Sequence, residues 1–308
     1  MDDMNRHLAA LLVLLSSLSF ADIIQEVRGS LAHNNSTAAE AELQTYRAQH
    51  GVTPEYLEAL SWMARGSLAA NQFDRAESYA KQTETLIRQQ LLKHPLDSDP
   101  HLPIALGAAI EVRAQTLAAE GQQEQAAALL KRSLATYGTT SIRARLQKNL
   151  NLLSLAGQPA PPLNLTQYLG TRPVPLSQLK GSPVLLFFWA HWCVDCKSEG
   201  PIIAALSSEF ASKGLTVVAP TQLYGYAAQG QDAKPEDELA YTGRVWQHFY
   251  PGLQSVPVPV SKQNFDRYGA STTPTLVLLD RSGHVSLYHP GVMPYDALRS
   301  AIERVLAN

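Results

Sequence analysis

Two cysteines, the only ones among the 308 residues, stand three apart at Cys193 and Cys196, just after the apolar run Val184 to Ala190 and Trp192. At the first turn of a helix this spacing brings two Cα atoms within the range a disulfide spans. It also sets the first sulfur beside unpaired backbone N–H groups and the positive end of the helix dipole, both of which favour a thiolate. A strand feeding such a turn suits thiol–disulfide exchange. Two other readings compete. A structural zinc site needs four ligands, and the sequence offers neither a second Cys pair nor a His-x3-His cluster to complete one. A purely structural bridge around two intervening residues would remove little loop entropy from the unfolded chain. Flanking Trp192 and Lys197, together with features further along the chain, favour exchange.

Composition narrows the alternatives. A net charge of −2 with 17% charged residues provides no basic field of the kind nucleic acid demands. No stretch reaches the roughly 18 to 20 apolar residues needed to cross a bilayer. The first 21 residues read as a secretory signal peptide: Arg6 and His7 precede a short apolar core, Leu8 to Leu18, and Ser19 and Ala21 suit cleavage before Asp22. Asp2 and Asp3 are out of place in a cationic leader, and initiation at Met4 would remove both.

From residue 22 to about 156 the chain reads as helical, sparse in Gly and Pro and rich in Ala, Leu, Gln and Glu. Helices are expected over Ser36 (or Thr37, either able to cap) to Gln49, from Pro54, over Phe73 to about Lys93, Ile104 to Ala119, Gln122 to Tyr137 and Ser141 to Leu155. Two turns are alike: Asn71-Gln72-Phe73-Asp74-Arg75-Ala76 and Gly121-Gln122-Gln123-Glu124-Gln125-Ala126. Both resemble the inter-helix turn of a tetratricopeptide repeat, in which a small Ala admits close helix approach; Ala64 and Ala114 fall at the matching small positions. The turns are 50 residues apart, against about 34 in that repeat, with the Pro-rich segment 94–103 between them. Such a helical-repeat surface suits contact with a protein partner; the plain alternative is an irregular helical bundle.

Gly157-Gln158-Pro159-Ala160-Pro161-Pro162 reads as a stiff linker. Beyond it come α/β signals: a hairpin over 163–165 and 174–176, a buried strand over 184–190, a helix from Cys193 to about Lys213 and a strand over 215–219. Strands over 275–279 and 285–289 and a helix over 295–306 complete the pattern. Between Ala219 and Pro259 an insert starts a helix at Pro235, whose Leu239, Trp246, Phe249 and Tyr250 read as core, with substrate selection the alternative.

Residues 157–308 resemble a thioredoxin-like domain, specifically the TlpA-like group of extracytoplasmic thiol–disulfide oxidoreductases. The likeness rests on Pro173 to Gly181 ahead of the strand, Phe188-Trp189-Ala190-His191-Trp192-Cys193, Glu199 and Pro201 after the second cysteine, and Thr273-Pro274-Thr275. The resemblance implies an α/β thioredoxin-like domain over 157–308, which would follow the helical, tetratricopeptide-like domain read over 22–156. It implies that Cys193 attacks, Cys196 resolves, Glu199 assists proton transfer near the thiols, and Pro274 is a cis proline packed against the pair. Trp192 and Thr273 would border the substrate, the Thr273 hydroxyl donating to the sulfur. Thioredoxin's buried acid on the strand would fall on Phe187, which leaves Glu199 as the proton acceptor. Asp195 competes with the thiolate for the helix dipole, and is expected to raise the Cys193 pKa and make the couple more reducing.

The function so implied is an exported reductase of protein disulfides working in the periplasm, its redox element the Cys193–Cys196 disulfide, with no bound cofactor or metal. Its electrons would come from a membrane thiol donor, its substrates could include apocytochromes, and the helical domain would contact another protein. A disulfide oxidase or isomerase is the enzymatic alternative. A scaffold, in which the helices recruit a partner and the second domain only docks, is the non-enzymatic one.

Overall fold

The structure, a computed structural model, describes residues 22–307, so the signal-peptide reading lies outside the described residues. Seven helices come first: α1 (Ile23–Ala32), α2 (Ser36–His50), α3 (Pro54–Ala69), α4 (Phe73–Leu91), α5 (His101–Ala119), α6 (Gln123–Tyr137) and α7 (Arg143–Ser154). Side-chain caps set several starts. Asn35 accepts from the N–H of Ala38 and Thr53 from that of Tyr56, each satisfying a donor left free at a helix N-terminus. The cap of α2 is therefore Asn35, one residue ahead of the expected Ser36.

The two similar turns share one geometry. Asn71 and Gly121 both adopt positive φ, and their N–H groups donate to Leu68 and Ala118 three residues back. A third turn repeats it at Asn34, whose N–H donates to Leu31. In each, an alanine five residues on is fully buried: Ala39, Ala76 and Ala126. Three helix pairs therefore share one turn, the first of them unrecognised in the sequence because the residues around Asn34 differ from those around Asn71 and Gly121. Ala64, Ala76, Ala80 and Ala109 pack with Val112 where α3, α4 and α5 meet, methyl-sized side chains that permit close axes. Among the described residues no helix is long and apolar enough to cross a membrane.

The second half contains β1 (Tyr168–Leu169), β2 (Val184–Phe188), α8 (Val194–Glu209), β3 (Thr216–Val218), α9 (Pro235–Phe249), β4 (Val258–Pro259), α10 (Lys262–Tyr268), β5 (Thr275–Leu279), β6 (Val285–Pro290) and α11 (Tyr295–Ala307). Its main sheet has the order β3-β2-β5-β6, with β2 parallel to β3 and the other neighbours antiparallel. Every residue of β2 and β5 is buried, because both faces of the sheet are covered. Leu185, Phe187, Leu276 and Leu278 pack with residues of α8, α9 and α11. Val184, Leu186, Phe188 and Val277 pack on the opposite face with Phe265 and Tyr268 of α10. This order and layering define a thioredoxin-like domain after a helical one.

The expected hairpin over 163–165 and 174–176 does not form. Prolines 161, 162, 173 and 175 withhold ladder donors, and Asn164 bonds Asn264 instead, its N–H donating at 2.7 Å and its carbonyl accepting at 3.0 Å. The only strand of this region is β1, paired antiparallel with β4. Nor is 157–162 a free spacer. Gly157 and Ala160 donate to Val285 and Gly283, and Tyr268 and Arg267 donate to the carbonyls of Pro161 and Pro162. The two halves meet where α7 packs on α10, and Asn151 Nδ2 donates to the Tyr268 carbonyl at 2.8 Å.

Candidate active site

Strand β2 delivers the chain to the site and buried Trp189 fixes its exit. The indole N–H of Trp189 donates to the Ala219 carbonyl at 3.1 Å, and its own carbonyl accepts from the Thr221 hydroxyl at 2.9 Å. Four residues on, Cys193 is the N-cap of α8 and is bonded to Cys196, the two Cα atoms 5.3 Å apart. The Cys196 N–H points at the Cys193 sulfur from 3.0 Å. On reduction that donor and the helix dipole lie against any charge on Cys193. Cys193 retains 4% exposure and Cys196 none, so an incoming sulfur meets Cys193 first. Trp192 and Val194, on either side of it, are exposed. Asp195 shares the first turn of α8.

The Thr273–Pro274 peptide bond is cis. Thr273 faces the cysteines through its backbone carbonyl, whose oxygen lies 3.4 Å from the Cys193 sulfur, and not through the expected hydroxyl. That carbonyl can accept from a Cys193 thiol but cannot donate to a thiolate.

Glu199 is on α8 and almost wholly buried; its Oε1 accepts from the Met293 N–H at 3.2 Å. Burial pushes its carboxyl above the usual range, opposed by that N–H and by His289. The next two residues shape the same helix. A Cβ on Gly200 would come within 2.7 Å of the Tyr250 ring, so only glycine lets α8 press on it. Pro201 lies inside the helix. Phe187 is fully buried and meets Tyr250 edge-on.

One element escaped sequence reasoning, which gave no role to any histidine. His191 is 1% exposed, with Nε2 3.2 Å from Glu238 Oε1 on α9. Glu238 also accepts the N–H groups of Tyr224 and Gly225, and the rings of Tyr224, Tyr226 and Tyr241 stand edge-on around the imidazole. Burial pulls the His191 pKa down, against the upward pull of Glu238. This pair ties the insert to the residue two before Cys193. Nothing local in the sequence signals it, since Glu238 reads equally well as an ordinary first-turn acid. Of the aromatic stripe on α9, Trp246 and Tyr250 are core, whereas Phe249 is exposed beneath the Lys197 ammonium, 4.5 Å from its ring centroid. Among the described residues no group of three or more His, Cys, Asp or Glu side chains could hold a metal ion.

A cleft of about 220 Å³ is lined by Trp192, the chain neighbour of Cys193, and by Thr273, whose carbonyl oxygen lies 3.4 Å from the Cys193 sulfur. Tyr224 also lines it, as do Ser141, just before α7, and Ala144 in the first turn of α7. The helical half thus shares a wall with Trp192 and Thr273, the residues that border Cys193.

The fold and this paired sulfur at a helix start define a thioredoxin-like thiol–disulfide oxidoreductase. Residues 156–222 match the model of the AhpC/TSA family. The chain is 30% identical over 138 residues to the thioredoxin-like protein YneN of Bacillus subtilis, covering 44% of this chain and 72% of that one. It is 31% identical over 141 residues to the thiol-disulfide oxidoreductase ResA of the same organism, covering 44% and 68%. It therefore belongs to the family of thioredoxin-like thiol–disulfide oxidoreductases that includes these two proteins. Among solved structures, a thiol:disulfide interchange protein DsbE from Chlorobium tepidum is 30% identical, covering 49% of this chain and 97% of that one with a TM-score of 0.38.

Proposed function

We propose that this protein is an exported reductase of protein disulfides, and that its helical half is a tetratricopeptide-like surface holding a protein partner. The observation that carries the exchange chemistry is the Cys193 sulfur, capped by the Cys196 N–H at the start of α8. The Cys193 thiolate attacks one sulfur of a substrate disulfide, and the expelled substrate thiolate takes a proton. Cys196 then loses its proton and attacks the Cys193 sulfur, releasing the second substrate thiol. Two electrons pass to the substrate and the Cys193–Cys196 disulfide forms. A dithiol donor must reverse this, and in an oxidising compartment a membrane thiol protein is the source the reading requires. Apocytochromes, with paired cysteines, are substrates of suitable chemistry. Trp192 and the Thr273–Pro274 segment border the substrate in this scheme. Residues 22–156 and 157–308 are its two domains, after a leader ending near Ala21.

Asp195 supports the reducing direction, because a negative charge in the first turn of α8 works against the thiolate and favours the disulfide. Equilibration with glutathione tests it. A potential near about −270 mV fits a reductase and one near about −120 mV an oxidase, and the latter value overturns the direction.

Glu199 is the proposed acceptor of the Cys196 proton, its raised pKa bringing it closer to that of a thiol. Glu199→Gln should slow resolution of the mixed disulfide by about 10²-fold, as read by rapid-mixing kinetics, and remove the carboxyl's inflection from the pH–rate profile. Stability provides an independent sign. A carboxyl with a raised native pKa favours folding at low pH and loses that contribution as pH rises through the native value. The Tm of Glu199→Gln relative to the parent should therefore climb as pH rises above the ordinary glutamate value and through the raised native one. A flat difference contradicts the buried carboxyl.

The cleft shared by the two halves makes a prediction about substrate size. Ala144→Arg fills it from α7 without touching a sulfur. Its kcat/KM for a protein disulfide such as insulin should fall about tenfold, while reduction of a small aromatic disulfide stays within about twofold. Equal loss on both substrates argues against substrate contact by the helical half.

A further inference from the structure

We infer that the helical half carries an anion-binding groove across α3, α5 and α7, and that its occupant is a carboxylate-rich stretch of a partner polypeptide. The inference rests on the proposed reading of the helical half as a protein-binding surface and adds the chemistry of what it binds.

The groove is a cavity of about 490 Å³ lined by Arg65, Leu68, Glu111, Val112, Arg145 and Lys148. Its charges do not balance. Glu111 is its one carboxylate, and both oxygens are taken: Oε2 accepts from Arg145 Nε at 2.6 Å, and Oε1 from Lys148 Nζ at 2.8 Å and from Gln115 at 3.4 Å. The two cations hold its carboxyl down at about 2 against burial. Arg65 is left over. Among the described residues it makes no ion pair, and its Nε is buried without an acceptor. Its guanidinium lies 4.2 Å from the centroid of the Trp62 ring, and Arg28 lies over the same ring at 4.6 Å. Burial and repulsion from Arg145 lower the Arg65 pKa to about 10. Glu58, the other carboxylate within its field, accepts from His101 at 2.8 Å.

Three cations thus face one saturated carboxylate. An underpaired cation out of bulk water is costly, and a bidentate carboxylate is the group that best relieves a guanidinium. Inorganic anions would engage the charges alone. Half-buried Leu68 on the same wall, over buried Val112, adds apolar surface, which fits a peptide whose acidic side chains alternate with apolar ones. The position gives the groove a use. Arg145 and Lys148 are on α7, the helix that presents Ala144 to the cleft beside Cys193. A substrate held there by its acidic segment would have its disulfide confined near the attacking sulfur, raising the effective concentration without any new contact at the site.

The test uses the full chain and a fluorescein-labelled peptide of alternating Glu and Leu, read by anisotropy. A peptide with Gln in place of Glu and inorganic phosphate as competitor complete it. The Glu peptide should bind, weaken as salt rises, and lose at least about tenfold in affinity in Arg65→Gln. Ala69→Glu keeps Arg65 and its packing and sets a carboxylate one turn along the same helix face. It should compete internally and weaken binding to the same extent. Both variants should reduce a small disulfide at the parental rate. Equal binding of the Gln peptide overturns the charge recognition while leaving protein docking intact. Displacement by phosphate at a concentration comparable to the peptide's overturns the polypeptide occupant, and no binding of either peptide overturns the groove altogether.

Discussion

Cys193→Ser should lower disulfide reduction by at least about three orders of magnitude, while Cys196→Ser should leave the protein able to capture substrate and unable to let it go. The asymmetry follows from where α8 begins. Cys193 is the N-cap, with the Cys196 N–H aimed at its sulfur and a trace of exposure, whereas Cys196 is one turn inside with none. On the proposed mechanism attack therefore falls to Cys193. With serine at 196 the mixed disulfide between Cys193 and the substrate has no internal thiol to break it, so it accumulates. Non-reducing electrophoresis after mixing with a protein disulfide should show an adduct with Cys196→Ser, cleared by dithiothreitol, and none with Cys193→Ser. Adducts formed through Cys196 in the Cys193→Ser protein would reverse the assigned roles. Both substitutions exchange one small polar atom for another, and the parent bridge spans only two residues, so loss of loop constraint is a minor contribution. Identifying the proteins captured from a cell extract would also name the substrate.

The parts of this molecule legible in the sequence are those fixed by local patterning. The run 276–279 is apolar at every position because β5 lies in the middle of a sheet covered on both faces, and the strand takes up all four together with the buried Thr275 before them. Asn71 and Gly121 revealed two turns because the residues around them repeat. Asn34 went unread because the same turn is there spelled with different neighbours, close to a segment read as a leader. Distance along the chain defeated the rest. His191 and Glu238 lie 47 residues apart, and neither type nor spacing marks two residues that meet only after α9 docks. The prolines of 157–162 do stiffen the segment, but stiffness does not reveal that Tyr268 and Arg267 will clasp it. The Thr273 contact failed differently: the residue was the right one, and the backbone, not the side chain, faces the sulfur.

The junction between the halves depends on one glycine, and Gly269→Ala should destabilise the protein by about 2 to 5 kcal/mol, read from urea unfolding. Gly269 closes α10 in the left-handed region at φ +60°. An added Cβ would lie 2.2 Å from the Lys148 backbone nitrogen and 2.6 Å from Lys148 Cα. Those atoms belong to α7 and cannot swing aside as a flexible side chain can, so the two helices must part. Parting them strips the Tyr268 carbonyl of its Asn151 donor, a loss added to the strain of a Cβ at that φ. Gly157 separates the two contributions, since its φ is +78° with nothing within 4 Å of the added Cβ. Gly157→Ala should therefore lose only the backbone cost of about 1 to 2 kcal/mol, and equal losses at the two sites would mean that α7 rests on α10 more loosely than this geometry requires. The functional consequence takes the same path. When α7 shifts, Ser141 and Ala144 leave the wall beside Trp192, so Gly269→Ala should lose rate on protein disulfides and keep it on small ones, as Ala144→Arg does, though it alters no residue of the cleft.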